Sequence, residues 1–112
     1  MTASDQEKRR ELEAVGLRLQ DLGYRFDWRP FFGTPGIWAF LPPEPDPSGI
    51  TVVNRPVFLY GTARGWEARL TPHGGPHWIR PAATVAALEE IALEALRSTA
   101  TPPSYAWHVE HG

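Results

Sequence analysis

PVFLYGTARGWEARLTPHGGPHWIR, residues 56–80, decides the fold of this 112-residue chain. β-branched, aromatic and alternating residues fall into three runs, Pro56–Tyr60, Trp66–Leu70 and His77–Arg80. Gly61–Gly65 and the Pro72-His-Gly-Gly-Pro76 segment separate them with turn-forming residues, so the stretch predicts an antiparallel meander. Strand side chains alternate between faces, which puts Trp66, Ala68 and Leu70 on one side of the middle strand and Glu67 and Arg69 on the other. One face of the sheet therefore needs a cover, and the other can meet water.

The flanking sequence supplies both more strands and the cover. Tyr24–Arg29 alternates aromatic and charged residues and reads as a strand ended by Pro30. The turn Gly33-Thr-Pro-Gly36 leads to a second strand, Ile37–Leu41. Pro42–Gly49 is read as a proline-rich surface loop and Ile50–Val53 as a third strand, with Pro56 marking a bulge, edge or break before the meander. Upstream, Ser4 and Glu7 match a capping box. Leu12, Val15, Leu19 and Leu22 then recur at helical spacing, Arg9 is placed to pair with Glu13, and Gly23 is placed to end the helix. Downstream, Thr84 is the expected N-cap of a helix reaching about Ser98, with Val85, Leu88, Ile91 or Ala92, and Ala95 or Leu96 turned inward and Glu89, Glu90 and Glu94 outward. The predicted fold is a two-layer α+β domain: N-terminal helix, antiparallel sheet of five or six strands, C-terminal helix and extended aromatic tail. Residues 1–98 form the domain and 99–112 the tail, which Pro102 and Pro103 set apart. The tail alternates again, Tyr105, Trp107 and Val109 against Ala106, His108 and Glu110, and is expected to dock as an edge strand or to pair with a partner.

Composition narrows the chemistry. There is no cysteine, which removes thiol nucleophiles, thiolate zinc sites and iron–sulfur clusters. The first ten residues are charged where a signal peptide is apolar, and no apolar run approaches the roughly 18 residues of a membrane span, so a cytoplasmic location is expected. The formal net charge is -2, too small for long-range attraction of nucleic acid. Within it, the strand region 24–81 is mildly basic and the second helix mildly acidic.

Three surfaces are candidates for function, and none carries a catalytic motif: no phosphate-binding loop, nucleophile elbow or zinc-protease signature is present. No cofactor is implied. The leading expectation is a small non-enzymatic binding module that acts through protein contacts, in its simplest form a homodimer, using its sheet edge, proline loop or tail residues Tyr105, Trp107 and Val109. Five tryptophans in a chain of this size exceed what a core must hold, and Trp, Tyr and Arg dominate interface energetics. The alternative is nucleic-acid binding by Arg25, Arg29, Arg69 and Arg80 beside aromatic residues, since guanidinium groups and rings together make stacking platforms. Alternation weighs against it by turning the strand aromatics toward the helices as core. Arg25, Arg29 and Arg69 are expected to neutralise Asp27 and Glu67 as cross-strand pairs. A second alternative is a metal site assembled from His73, His77, His108 and His111, which requires the tail to fold back over the 72–76 turn.

Overall fold

A computed structural model of the chain describes residues 5–31, 33–42, 56–72, 75–98 and 100–110. The first element, α1 (Asp5–Asp21), buries Leu12, Val15 and Leu19 as the apolar spacing requires. It ends in a paired capping arrangement: the Gly23 N–H donates to the Gln20 carbonyl at 3.0 Å and the Tyr24 N–H to the Leu19 carbonyl at 3.0 Å. Gly23 sits at φ +98°, a left-handed conformation that glycine adopts without steric cost. Leu22, the predicted last member of the stripe, lies in that cap and is 54% exposed, because the helix has already stopped turning its face inward. Ser4 of the expected capping box lies outside the described residues.

The strands are β1 (Arg25–Trp28), β2 (Gly36–Phe40), β3 (Val57–Thr62), β4 (Gly65–Leu70), β5 (Trp78–Ala82) and β6 (His108–Val109), with α2 (Val85–Arg97) between the last two. Sheet order follows chain order from β1 to β6, and every neighbouring pair is antiparallel. The β3–β4 hairpin is tighter than the sequence predicts. Thr62 pairs with Gly65, so only Ala63 and Arg64 form the turn, and the strands run through Gly61. Gly65 permits this at φ +138°. The expected Ile50–Val53 strand and the proline loop beyond Pro42 lie outside the described residues, and β6 supplies the sixth strand.

Both helices pack on one face of the sheet. The register aligns Phe26, Ala39, Val57, Leu70 and Trp78 in one cross-sheet row, and Trp28, Ile37, Leu59, Ala68 and Arg80 in the next. Most of these residues form a single core with Leu12, Val15 and Leu19 of α1 and Leu88, Ile91, Ala92, Ala95 and Leu96 of α2. Fully burying each large aliphatic side chain stabilises the fold by about 1.5–3 kcal/mol relative to leaving it in water. Gly16 sets the distance between α1 and β1: a Cβ there would lie 2.7 Å from the Phe26 ring. The Thr84 hydroxyl accepts from the Ala87 N–H at 3.1 Å, capping α2 as expected. Arg18 of α1 pairs with Glu89 of α2 and ties the helices together. No helix among the described residues is long and apolar enough to cross a membrane.

Candidate binding surface

The sheet face turned away from the helices carries an aromatic and charged surface. Its central row runs Asp27, Trp38, Phe58, Arg69, Ile79 and His108 across all six strands, flanked by Arg25, Phe40, Tyr60 and Glu67. The expectation that the strand aromatics are core holds for Tyr24 and Phe26, which pack against it, and for Trp66 within it, but not for β2. There Ile37 and Ala39 face the helices, and Trp38 and Phe40 face away. A continuous apolar run gives no parity signal, and small Ala39 suits close helix contact better than an indole does.

Ring geometry on this face is specific. Trp38 and Phe58 stack with centroids 5.9 Å apart, Trp38 and Phe40 lie 5.3 Å apart, and the Arg29 guanidinium sits 5.5 Å from the Trp38 centroid. The turn after β1 returns Phe31 to the same face. Phe31 and Thr34 exchange backbone hydrogen bonds of 3.0 Å, and the Phe31 ring stacks on Tyr60 at 4.2 Å. Trp38 and Phe58 are half-buried, whereas Phe40 and Tyr60 are buried.

Arg69 is the anchor of this face and is only 7% exposed. Its Nε donates to the Tyr60 hydroxyl at 3.2 Å, its guanidinium pairs with the Glu110 carboxylate and lies 4.6 Å from the Phe31 centroid, and His77 Nδ1 is 3.4 Å away. The Tyr60 hydroxyl in turn donates to Glu67 at 2.7 Å. Glu67 therefore leans on Tyr60 and not on the cross-strand arginine that the sequence predicts, while Arg69 reaches 41 residues along the chain. Burial, reinforced by the bond to Glu67, pushes the Tyr60 hydroxyl well above its ordinary value. Burial pulls the Arg69 guanidinium down, but its bonds to Glu110 and Tyr60 outweigh that and leave it raised. The bond from Arg69 holds the Glu110 carboxyl below the usual range. Every part of this network is hydrogen-bonded, as a buried charge requires.

The tail is fastened at a second point. Trp107 is 3% exposed within the core, and its Nε1 donates to Glu94 at 3.1 Å. Glu94 also accepts from Arg80 at 2.8 Å, so it is not the outward-facing residue the helical spacing predicts. Burial works to raise the Glu94 carboxyl, but bonds from Trp107, Ser104 and Arg80 hold it below the usual range. The Glu110 N–H donates to the His77 carbonyl at 2.8 Å and closes β6 onto β5.

The sequence candidates thus separate. Of the tail trio, Tyr105 is fully exposed, Trp107 is core, and Val109 is half-buried opposite Trp78. Of the four arginines, Arg25 and Arg29 are exposed beside the β1 edge and Arg69 is committed to its internal network. Arg80 lies on the helix side, bordering a cavity of about 290 Å³ shared with Glu90 and Glu94. His77 and His108 share the open face, while His73 and His111 lie outside the described residues. Among the described residues no three His, Asp or Glu side chains group to hold a metal ion. Arg9, predicted to pair with Glu13, instead lies over the Trp28 ring at 5.2 Å, at a cleft of about 280 Å³ that also includes Asp5, Pro30 and Pro35. The sequence points to a sheet edge and to an arginine and aromatic sheet face without saying which strand is the edge or that Trp38 and Phe58 lie on that face; the structure makes β1 the edge.

No known protein family, curated protein or solved structure matches the chain.

Proposed function

We propose that this chain is a small non-enzymatic binding module that works through protein contacts, and that its simplest working form is a homodimer. The observation that carries this reading is the edge strand β1: no strand covers its outer side among the described residues, Arg25 and Asp27 are exposed, and Trp28 is 39% exposed. Trp and Arg at an exposed sheet edge are the residues that dominate interface energies, and an edge offers backbone groups for strand addition. The buried polar groups of the open face are engaged with one another and act as a rigid support for that edge. Light scattering tests the homodimer: a mass near twice 12.5 kDa supports it, and a strict monomer at high concentration refutes it.

Nucleic-acid binding is the second reading, favoured by Arg29 over Trp38 and the adjoining Phe58 stack. It predicts quenching of tryptophan fluorescence by a mixed-sequence single-stranded oligonucleotide, saturable at low salt and sharply weaker at high salt. No response at either salt rules it out.

A further inference from the structure

We infer that β1 is a self-complementary edge: two copies of the chain join β1 to β1 antiparallel about a two-fold axis at Phe26, forming one continuous sheet. This rests on the homodimer reading above and names its contact.

The phase of the backbone comes first. The Arg29 N–H donates to the Gly36 carbonyl at 2.8 Å, so Arg29 is hydrogen-bonded to β2. Antiparallel ladders alternate, so Asp27 and Arg25 also direct their backbone groups to β2, opposite Trp38 and Phe40, and Phe26 and Trp28 direct theirs outward. An incoming strand therefore finds donors and acceptors at Phe26 and Trp28.

Side chains then select the register. A two-fold axis perpendicular to the sheet keeps each residue on its own face, so only partners of the same face can stand opposite one another. Centred on Phe26, the pairing sets Arg25 of each copy against Asp27 of the other, twice, on the open face. Phe26 meets Phe26 and Tyr24 meets Trp28 on the helix side. Arg25 and Asp27 form a non-hydrogen-bonded pair in this register, the kind with the closest side chains. Neither has an ionic partner among the described residues. Moving the axis to Asp27 opposes Asp27 to Asp27 and Arg25 to Arg29, so repulsion disfavours that alternative. Charges on an edge strand ordinarily blunt it against association. Here their opposite signs, two residues apart, make the register centred on Phe26 attractive, whereas an axis at Trp28, which opposes Asp27 to Arg29, sets Phe26 against Pro30, which has no N–H to donate.

Charge reversal tests the pairing. Arg25→Asp and Asp27→Arg, each alone, place like charges at both symmetric contacts, and each is expected to weaken self-association at least about tenfold. The double exchange restores opposite charges and is expected to restore the parent dimer. Sedimentation equilibrium up to about 0.5 mM chain covers the range in which small interfaces associate, and far-ultraviolet circular dichroism checks that these exposed positions leave the fold intact. A dimer indifferent to both single reversals, or one not rescued by the double exchange, overturns the β1 register while the homodimer reading stands. A parent chain that stays monomeric overturns both.

Discussion

Replacing Trp107 by alanine tests whether β6 is part of the core or an appendage. Trp107 is 3% exposed among buried neighbours and donates to Glu94. Emptying such a site costs about 3–5 kcal/mol. The lost Nε1 bond adds little, because Glu94 keeps Arg80 and its side chain is 35% exposed, so water takes the vacant position. The lower part of the range, about 3–4 kcal/mol, is therefore expected. With an unfolding entropy of about 2.1 cal/mol/K per residue, 112 residues convert this to a fall in Tm of about 13–17 °C. Trp107→Phe, which keeps most of the ring and loses the donor, is expected to cost about 1–2 kcal/mol. Tyr105→Ala, at a fully exposed position in the same tail, is expected to stay within about 0.5 kcal/mol of the parent. Urea denaturation followed by circular dichroism measures all three, and the slopes show whether each variant unfolds the same surface. A Trp107→Ala protein within about 1 kcal/mol of the parent would refute the placement of the tail in the core, as would a Tyr105→Ala protein losing as much as Trp107→Ala.

Glu110→Gln removes the anion from Arg69 and, at neutral pH, is expected to cost roughly 1–3 kcal/mol, below the full value for a buried pair because the Glu110 side chain is 32% exposed. Since Arg69 lowers the Glu110 carboxyl in the folded state, its contribution is complete above the unfolded value near about 4.3 and is lost as pH falls through the folded value. Between about pH 5 and 3 the urea midpoint of the parent should therefore fall more steeply than that of Glu110→Gln, and parallel curves would remove the linkage. Gly16→Ala gains up to about 1 kcal/mol of helix propensity but forces a Cβ to 2.7 Å from the Phe26 ring, for a net loss of roughly 1 kcal/mol. Adding Phe26→Leu should recover part of that loss, which a purely local helix effect would not allow.

The layers and most strands of this fold follow from short-range patterns. Leu88, Ile91 and Leu96 repeat at helical spacing, and Trp66, Ala68 and Leu70 alternate against Glu67 and Arg69. Both are period signals, and each bears directly on which face is buried. The facing of Trp38 was not accessible in the same way, since Ile37–Leu41 is apolar at every position and either parity fits. The Arg69–Glu110 and Glu94–Trp107 bonds join residues 41 and 13 apart, respectively, across the sheet and from helix to tail. Such pairings depend on how elements stack in space, and Glu94 looked like any solvated helix carboxylate. The hairpin turn at Ala63–Arg64 was drawn too wide because Gly61 reads as a turn residue, whereas in the structure it is a strand residue packed closely under the Lys8 side chain.

A sheet whose strand order repeats its chain order also constrains how the molecule assembles. Within the β3–β4–β5 meander each strand docks on the one made immediately before it, so closing each pair orders only a short stretch of chain. That favours rapid assembly for a protein with so much sheet, because slow folding accompanies pairings between distant segments. β6 is the exception: α2 and the 98–107 connection lie between it and β5 in the chain, so pairing the two closes a longer loop. The Trp107 and Glu110 attachments should therefore form late and, being largely absent from the transition state, act mainly on the unfolding rate. On that account, the stretch that finishes the domain governs how long it stays folded more than how fast it folds.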